Sequence, residues 1–140
     1  MIEIINSEQL RQQAIDLRLY GLQQHWQELT EEHYPLLSTL IRWELDERQQ
    51  RSLERRLNSA KLGRFKPLIE FDWQWPSKID PSAIQALMQL DFLTDASNII
   101  LIGSNGVGKS TLAQNLGYQA VMQGHTVLFT TAANMLSDLA

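Results

Sequence analysis

Nine consecutive residues carry the most specific chemistry in the chain: Gly103-Ser104-Asn105-Gly106-Val107-Gly108-Lys109-Ser110-Thr111. The first eight match G-x-x-x-x-G-K-[S/T] at every fixed position, the P-loop or Walker A pattern. At average glycine usage, a chain of this length would contain the pattern by chance roughly once in two hundred. Each residue type has a physical reason to be there. Gly103, Gly106 and Gly108 allow positive φ angles and close approach, so that successive backbone N–H groups can turn toward one anion. Lys109 supplies a point charge for the β and γ phosphates of a nucleotide, and the Ser110 hydroxyl suits a Mg2+ ion bridging them. Thr111 is a candidate for the α phosphate. ATP with Mg2+ is therefore the expected ligand.

Such a loop is expected between a strand and a helix. Asn98 to Ile102 is an apolar run that predicts a buried strand, and Lys109 to about Gln123 predicts a helix with Leu112, Leu116 and Ala120 on its apolar side, closed by Gly124. Thr126 to Thr130 predicts a second buried strand. The fold expected for this part is α/β, the beginning of a parallel-sheet P-loop domain, over residues 65–140 with a connector at 65–79.

Residues 1–64 predict a helical N-terminal domain. Asn6 and Ser7 suit a helix cap ahead of Leu10, Ala14 and Leu17, and Leu22, Trp26 and Leu29 repeat that spacing beyond a break at Gly21. A long helix follows from about Pro35 to Ala60, with Leu53, Leu57 and Ala60 on one side and Arg48, Arg51 and Arg55 opposite. Between Arg48 and Lys66 stand seven basic residues and one acidic one, whereas residues 67–140 hold only Lys78 and Lys109 as cations. Arg48, Arg51, Arg55, Arg56, Lys61 and Arg64 are the candidate DNA-phosphate contacts. The alternative is a solvated face, because Glu44 with Arg48 and Glu47 with Arg51 stand at i, i+4. The connector carries Phe65, Phe71, Trp73 and Trp75, read as anchors that pin the chain to the following domain. Asp80-Pro81 then starts a short helix bearing Ile84, Leu87 and Met88.

Composition narrows the class. The 140 residues are 44% hydrophobic and 20% charged, which excludes wholesale disorder and low-complexity fibres. The chain contains no cysteine, so disulfide frameworks and thiolate zinc sites are excluded. His25, His33 and His125 lack ligand spacing. No apolar run approaches the roughly 18 residues of a membrane span, no export signal is visible at the N-terminus, and the expected location is the cytoplasm. The net charge of -4 does not by itself advertise a nucleic-acid partner.

Taken together with what precedes it, the P-loop carries a family resemblance. Leu53-Glu-Arg-Arg-Leu-Asn-Ser-Ala-Lys-Leu62, Arg64-Phe-Lys-Pro-Leu-Ile-Glu-Phe-Asp72, Leu90-Asp-Phe-Leu93, Asn98 through Ser110, Gly117-Tyr-Gln-Ala120 and Val127-Leu-Phe-Thr-Thr-Ala132 resemble the IstB-type helper ATPases of bacterial insertion sequences. These are similar to DnaC-type helicase loaders and belong to the AAA+ class. The resemblance implies ATP-dependent assembly on DNA, self-association and cooperation with a transposase, with residues 103–111 taking the nucleotide role. It also implies a further hundred or so residues carrying the Walker B acids, a sensor and an arginine finger, so a truncated domain is expected and catalysis by this chain stays open. A helicase loader, or a non-catalytic module that binds DNA or protein, is the alternative.

Overall fold

Asn6 opens the first helix by the mechanism its side chain suits: Oδ1 accepts the Glu8 and Gln9 amides at 3.0 and 3.2 Å, and α1 runs Ser7–Asp16. The computed structural model describes residues 5–74 and 79–140. The other helices are α2 Tyr20–Gln24, α3 Tyr34–Ala60, α4 Pro81–Leu87, α5 Asp91–Thr94, α6 Lys109–Met122 and α7 Ala132–Leu139, with short 3-10 turns at Trp26–Glu28 and Leu68–Glu70. The chain divides into two compact units, Met1–Ser52 and Leu53–Ala140.

In the first unit, α1 stops at Leu17 and not at Gly21. Arg18 takes the left-handed conformation, φ 58°, and the Leu19 amide donates back to the Ala14 carbonyl at 3.0 Å. This is the helix-ending motif that usually recruits glycine. Gly21 instead lies inside α2. Leu10, Ala14, Leu17 and Ile41 form the buried core, with Leu22, Trp26, Tyr34 and Leu37 packed around it. Full burial of each large aliphatic side chain contributes about 1.5–3 kcal/mol.

In the second unit, Ala60, Leu62 and Val121 are buried, and Leu53, Leu57, Phe65, Val127 and Phe129 pack on them. Asp80 caps α4 by accepting the Ser82 amide at 2.9 Å, with Pro81 at the first position. Helix α6 ends as its sequence predicts: Gly124 has φ 97°, and the His125 amide donates to the Ala120 carbonyl at 2.9 Å. The anchor assigned to Trp75 lies outside the described residues.

The α/β expectation is overturned. Among the described residues all regular structure is helical, and residues 98–102 and 126–130 are not strands of a parallel sheet. Both segments are covered on one side only. Ile100, Ile102 and Leu128 are 79%, 92% and 59% exposed, while Ile99, Leu101, Val127 and Phe129 are half-buried. The Phe129 amide donates to the Ala60 carbonyl at the end of α3, at 2.8 Å. An apolar, β-branched run makes a segment competent to be a strand, but a strand is completed by ladder hydrogen bonds to another segment, and no such ladder forms among the described residues.

Candidate functional site

The glycine loop leads into α6 through Gly108, which occupies the cap position with φ 96° and ψ 18°. No side chain caps this helix start. The first amides of any α-helix lack intrahelical carbonyl partners and carry the positive end of the helix dipole. At α6 these belong to Lys109, Ser110 and Thr111, and the regular ladder begins with Leu112, whose amide donates to the Gly108 carbonyl at 3.0 Å. An anion is the natural complement of such an end.

Of the three loop glycines, two use left-handed backbone: Gly106 at φ 81° and Gly108 at φ 96°. Gly103 does not, and its reason is space, because a Cβ there would stand 3.1 Å from Val107 Cγ2. Lys109 folds back over the loop, its Nζ donating to the Gly103 and Ser104 carbonyls at 2.6 Å each. The ammonium is thus held against the loop by two backbone oxygens. Ser104, Asn105, Gly106 and Ser110 are exposed, and Val107 and Thr111 are half-buried. All nine predicted residues, 103–111, therefore belong to one continuous turn and helix start. Beside them an open cavity of about 490 Å³ is lined by Ile79, Ile84, Ile100, Val107, Lys109 and Leu112 among others.

Two residues of the site's support carry no motif. Asn115, nearly two turns into α6, is 8% exposed, and its Nδ2 donates to the carbonyls of Lys66 and Thr111, both at 2.8 Å. Gln114 Nε2 donates to the Leu62 carbonyl at 2.7 Å. Adjacent amide side chains in the middle of an apolar helix were the available signal. Side-chain amides there must find partners when buried.

The basic candidates separate by environment. In the first unit, Arg48 donates to the Leu17 carbonyl at 2.9 Å and Arg51 pairs with Glu47 at 2.7 Å. In the second, Arg56 donates to the Val121 carbonyl at 3.4 Å, while Arg55, Lys61 and Arg64 are exposed. Arg48 therefore closes the end of α1 and does not pair with Glu44. His25 and His33 engage near neighbours, the former against Glu28 and the latter accepting the Thr30 amide. No helix of the described residues is long and apolar enough to cross a membrane.

Comparison with known proteins adds a family. The family model described as IstB-like ATP binding protein matches residues 8–140. A Pseudomonas aeruginosa protein named as an ATP-binding protein of insertion sequence IS21 is 38% identical over 103 residues, 74% of this chain and 39% of the relative. A Geobacillus stearothermophilus protein named for insertion sequence IS5376 is 31% identical over 103 residues, 74% of this chain and 41% of the relative. An insertion-sequence ATP-binding protein of Sinorhizobium fredii is 33% identical over 132 residues, 89% and 44% of the two chains. The chain thus spans about two fifths of the length of these curated relatives.

Proposed function

Because the chain belongs to the family of IstB-like ATP-binding proteins, we propose that residues 103–111 bind ATP with Mg2+ and that the protein serves as an ATP-binding helper in DNA transposition. The observation that carries this reading is the start of α6, a helix end capped by no side chain behind a glycine loop, with the Lys109 ammonium poised over it. The loop amides and Lys109 hold the phosphates, and Ser110 offers its hydroxyl to the metal. Mg2+, when bound, would supply positive charge that offsets that of the phosphates. The partners on this reading are DNA, a transposase and further copies of the protein, and its place is the cytoplasm. A fluorescent ATP analogue titrated into the purified protein tests it. Saturable binding that unlabelled ATP displaces and EDTA weakens is expected, and no displaceable binding to the folded protein would overturn it.

For DNA, the exposed cations of the second unit, Arg55, Lys61 and Arg64, are the proposed phosphate contacts. Exposed cations in water bind duplex DNA chiefly by releasing condensed counterions, so the effect is read in salt dependence. Replacing all three by Ala is expected to flatten the slope of log affinity against log salt by about 0.9 per contact, roughly 2.7 in total. Affinity measured between low and moderate salt checks this. A slope identical to that of the unaltered protein would assign these side chains to a solvated face.

A further inference from the structure

Residues 62–71, read from the sequence as connector from residue 65 onward, form a strap laid antiparallel along α6. The Gln114 side chain holds the Leu62 carbonyl, and a Cβ on Gly117 would stand 2.9 Å from Leu62 Cδ2. Phe65 meets Tyr118 edge-on at 6.0 Å, and Asn115 holds the Lys66 carbonyl. At its far end the strap reaches the phosphate loop, where the Phe71 ring lies against Gly108. A Cβ added to Gly108 would stand 2.6 Å from Phe71 Cε2 and 3.0 Å from Cζ. Trp73 backs the ring, with centroids 4.8 Å apart and planes at 58°.

We propose that Phe71 is a positioning residue of the nucleotide site, the wedge that fixes Gly108 in its left-handed conformation. The inference rests on the reading of the loop as a nucleotide-phosphate site and extends it to a residue outside the motif. Gly108 sets the direction in which the Lys109, Ser110 and Thr111 amides leave the loop, and no side-chain cap holds it. Glycine alone populates several backbone basins with little preference. The ring removes most of that freedom before a phosphate arrives, so less ordering cost is left for binding. Close packing adds to the cost of a side chain at this position, which would press on the ring as well as adopt an unfavourable φ.

The test is a cycle of four proteins, the unaltered chain, Phe71→Ala, Gly108→Ala and the double variant, titrated with a fluorescent ATP analogue in Mg2+ buffer. Circular dichroism checks the fold of each, and Phe71→Leu replaces the alanine variant if that one unfolds. Phe71→Ala is expected to loosen binding about tenfold. Gly108→Ala is expected to bind more weakly still, and the double variant to bind more tightly than Gly108→Ala, because the collision with the ring has been removed. A ring that only stabilised the fold would lower the melting temperature of Phe71→Ala and leave the affinity of the folded variant unchanged. Affinity of Phe71→Ala within about twofold of the unaltered chain, or a double variant no tighter than Gly108→Ala, would overturn the proposal. Absence of binding by the unaltered chain would instead remove the nucleotide reading on which the proposal rests.

Discussion

Lys109→Ala is expected to weaken ATP binding about ten- to a hundredfold, the worth of one charge-assisted contact to phosphate. On the proposed reading the side chain starts from an anchored position. Its Nζ sits 2.6 Å from the Gly103 and Ser104 carbonyls, so the ammonium is anchored over the loop before any nucleotide enters. An ammonium has three donors, and two are satisfied by these oxygens. The third can turn to a phosphate oxygen without surrendering the anchor. Gly103 and Ser104 are themselves exposed, so water can replace the lost partner when Lys109 is removed, and the fold should lose little. Affinity and stability therefore separate. The variant should melt close to the unaltered protein while its dissociation constant rises steeply, and equal affinity in two folded proteins would refute the role given to Lys109.

The parts of the molecule legible in the sequence are those whose cause is local. Asn6, Asp80-Pro81 and Gly124 act on amides and carbonyls within a few residues, and each helix boundary they mark is found where their chemistry puts it. The glycine turn and helix start at 103–111 are legible for the same reason. The end of α1 was not, because Arg18 occupies a left-handed position that glycine normally fills. Local preference there gives way to packing, with Leu17 and Ala14 buried and Arg48 closing the last turn. The sheet failed on a different count. Residues 98–102 and 126–130 have the composition of strands, but pairing is a property of two segments, and composition reports on one at a time. The strap is legible in its anchors, since Phe65 and Phe71, read as pinning the connector to the following domain, meet Tyr118 and Gly108, whereas the bonds from Gln114 and Asn115 to the Leu62 and Lys66 carbonyls of irregular chain leave no period to detect.

Asn115 is where that strap is most sensitive. Its amide nitrogen donates to two carbonyls, Lys66 O in the strap and Thr111 O in its own helix, and the residue is 8% exposed. Asn115→Leu would leave the Lys66 carbonyl without this donor, costing about 1–3 kcal/mol at any pH. Asn115→Asp has nearly the same shape and a larger, pH-dependent effect. Ionised, it would place a carboxylate against two carbonyl oxygens in a site that water barely reaches, at a cost of about 3 kcal/mol or more. Protonated, it would keep one donor for one of those oxygens. Burial and the two carbonyls disfavour the charged form, so the introduced carboxyl would titrate higher in the folded protein than the roughly 3.9 of an unfolded chain. The folded state then binds more protons than the unfolded state above about pH 4, and stability falls as pH rises through that window. Thermal melts of the Asn115→Asp and unaltered proteins should lie closest near pH 4 and separate toward pH 7. The gap there is expected to be on the order of 10–20 °C for a unit of this size. A gap that stayed constant across that range would show that the side chain at 115 is solvated, and that Asn115 does not clasp the strap to α6.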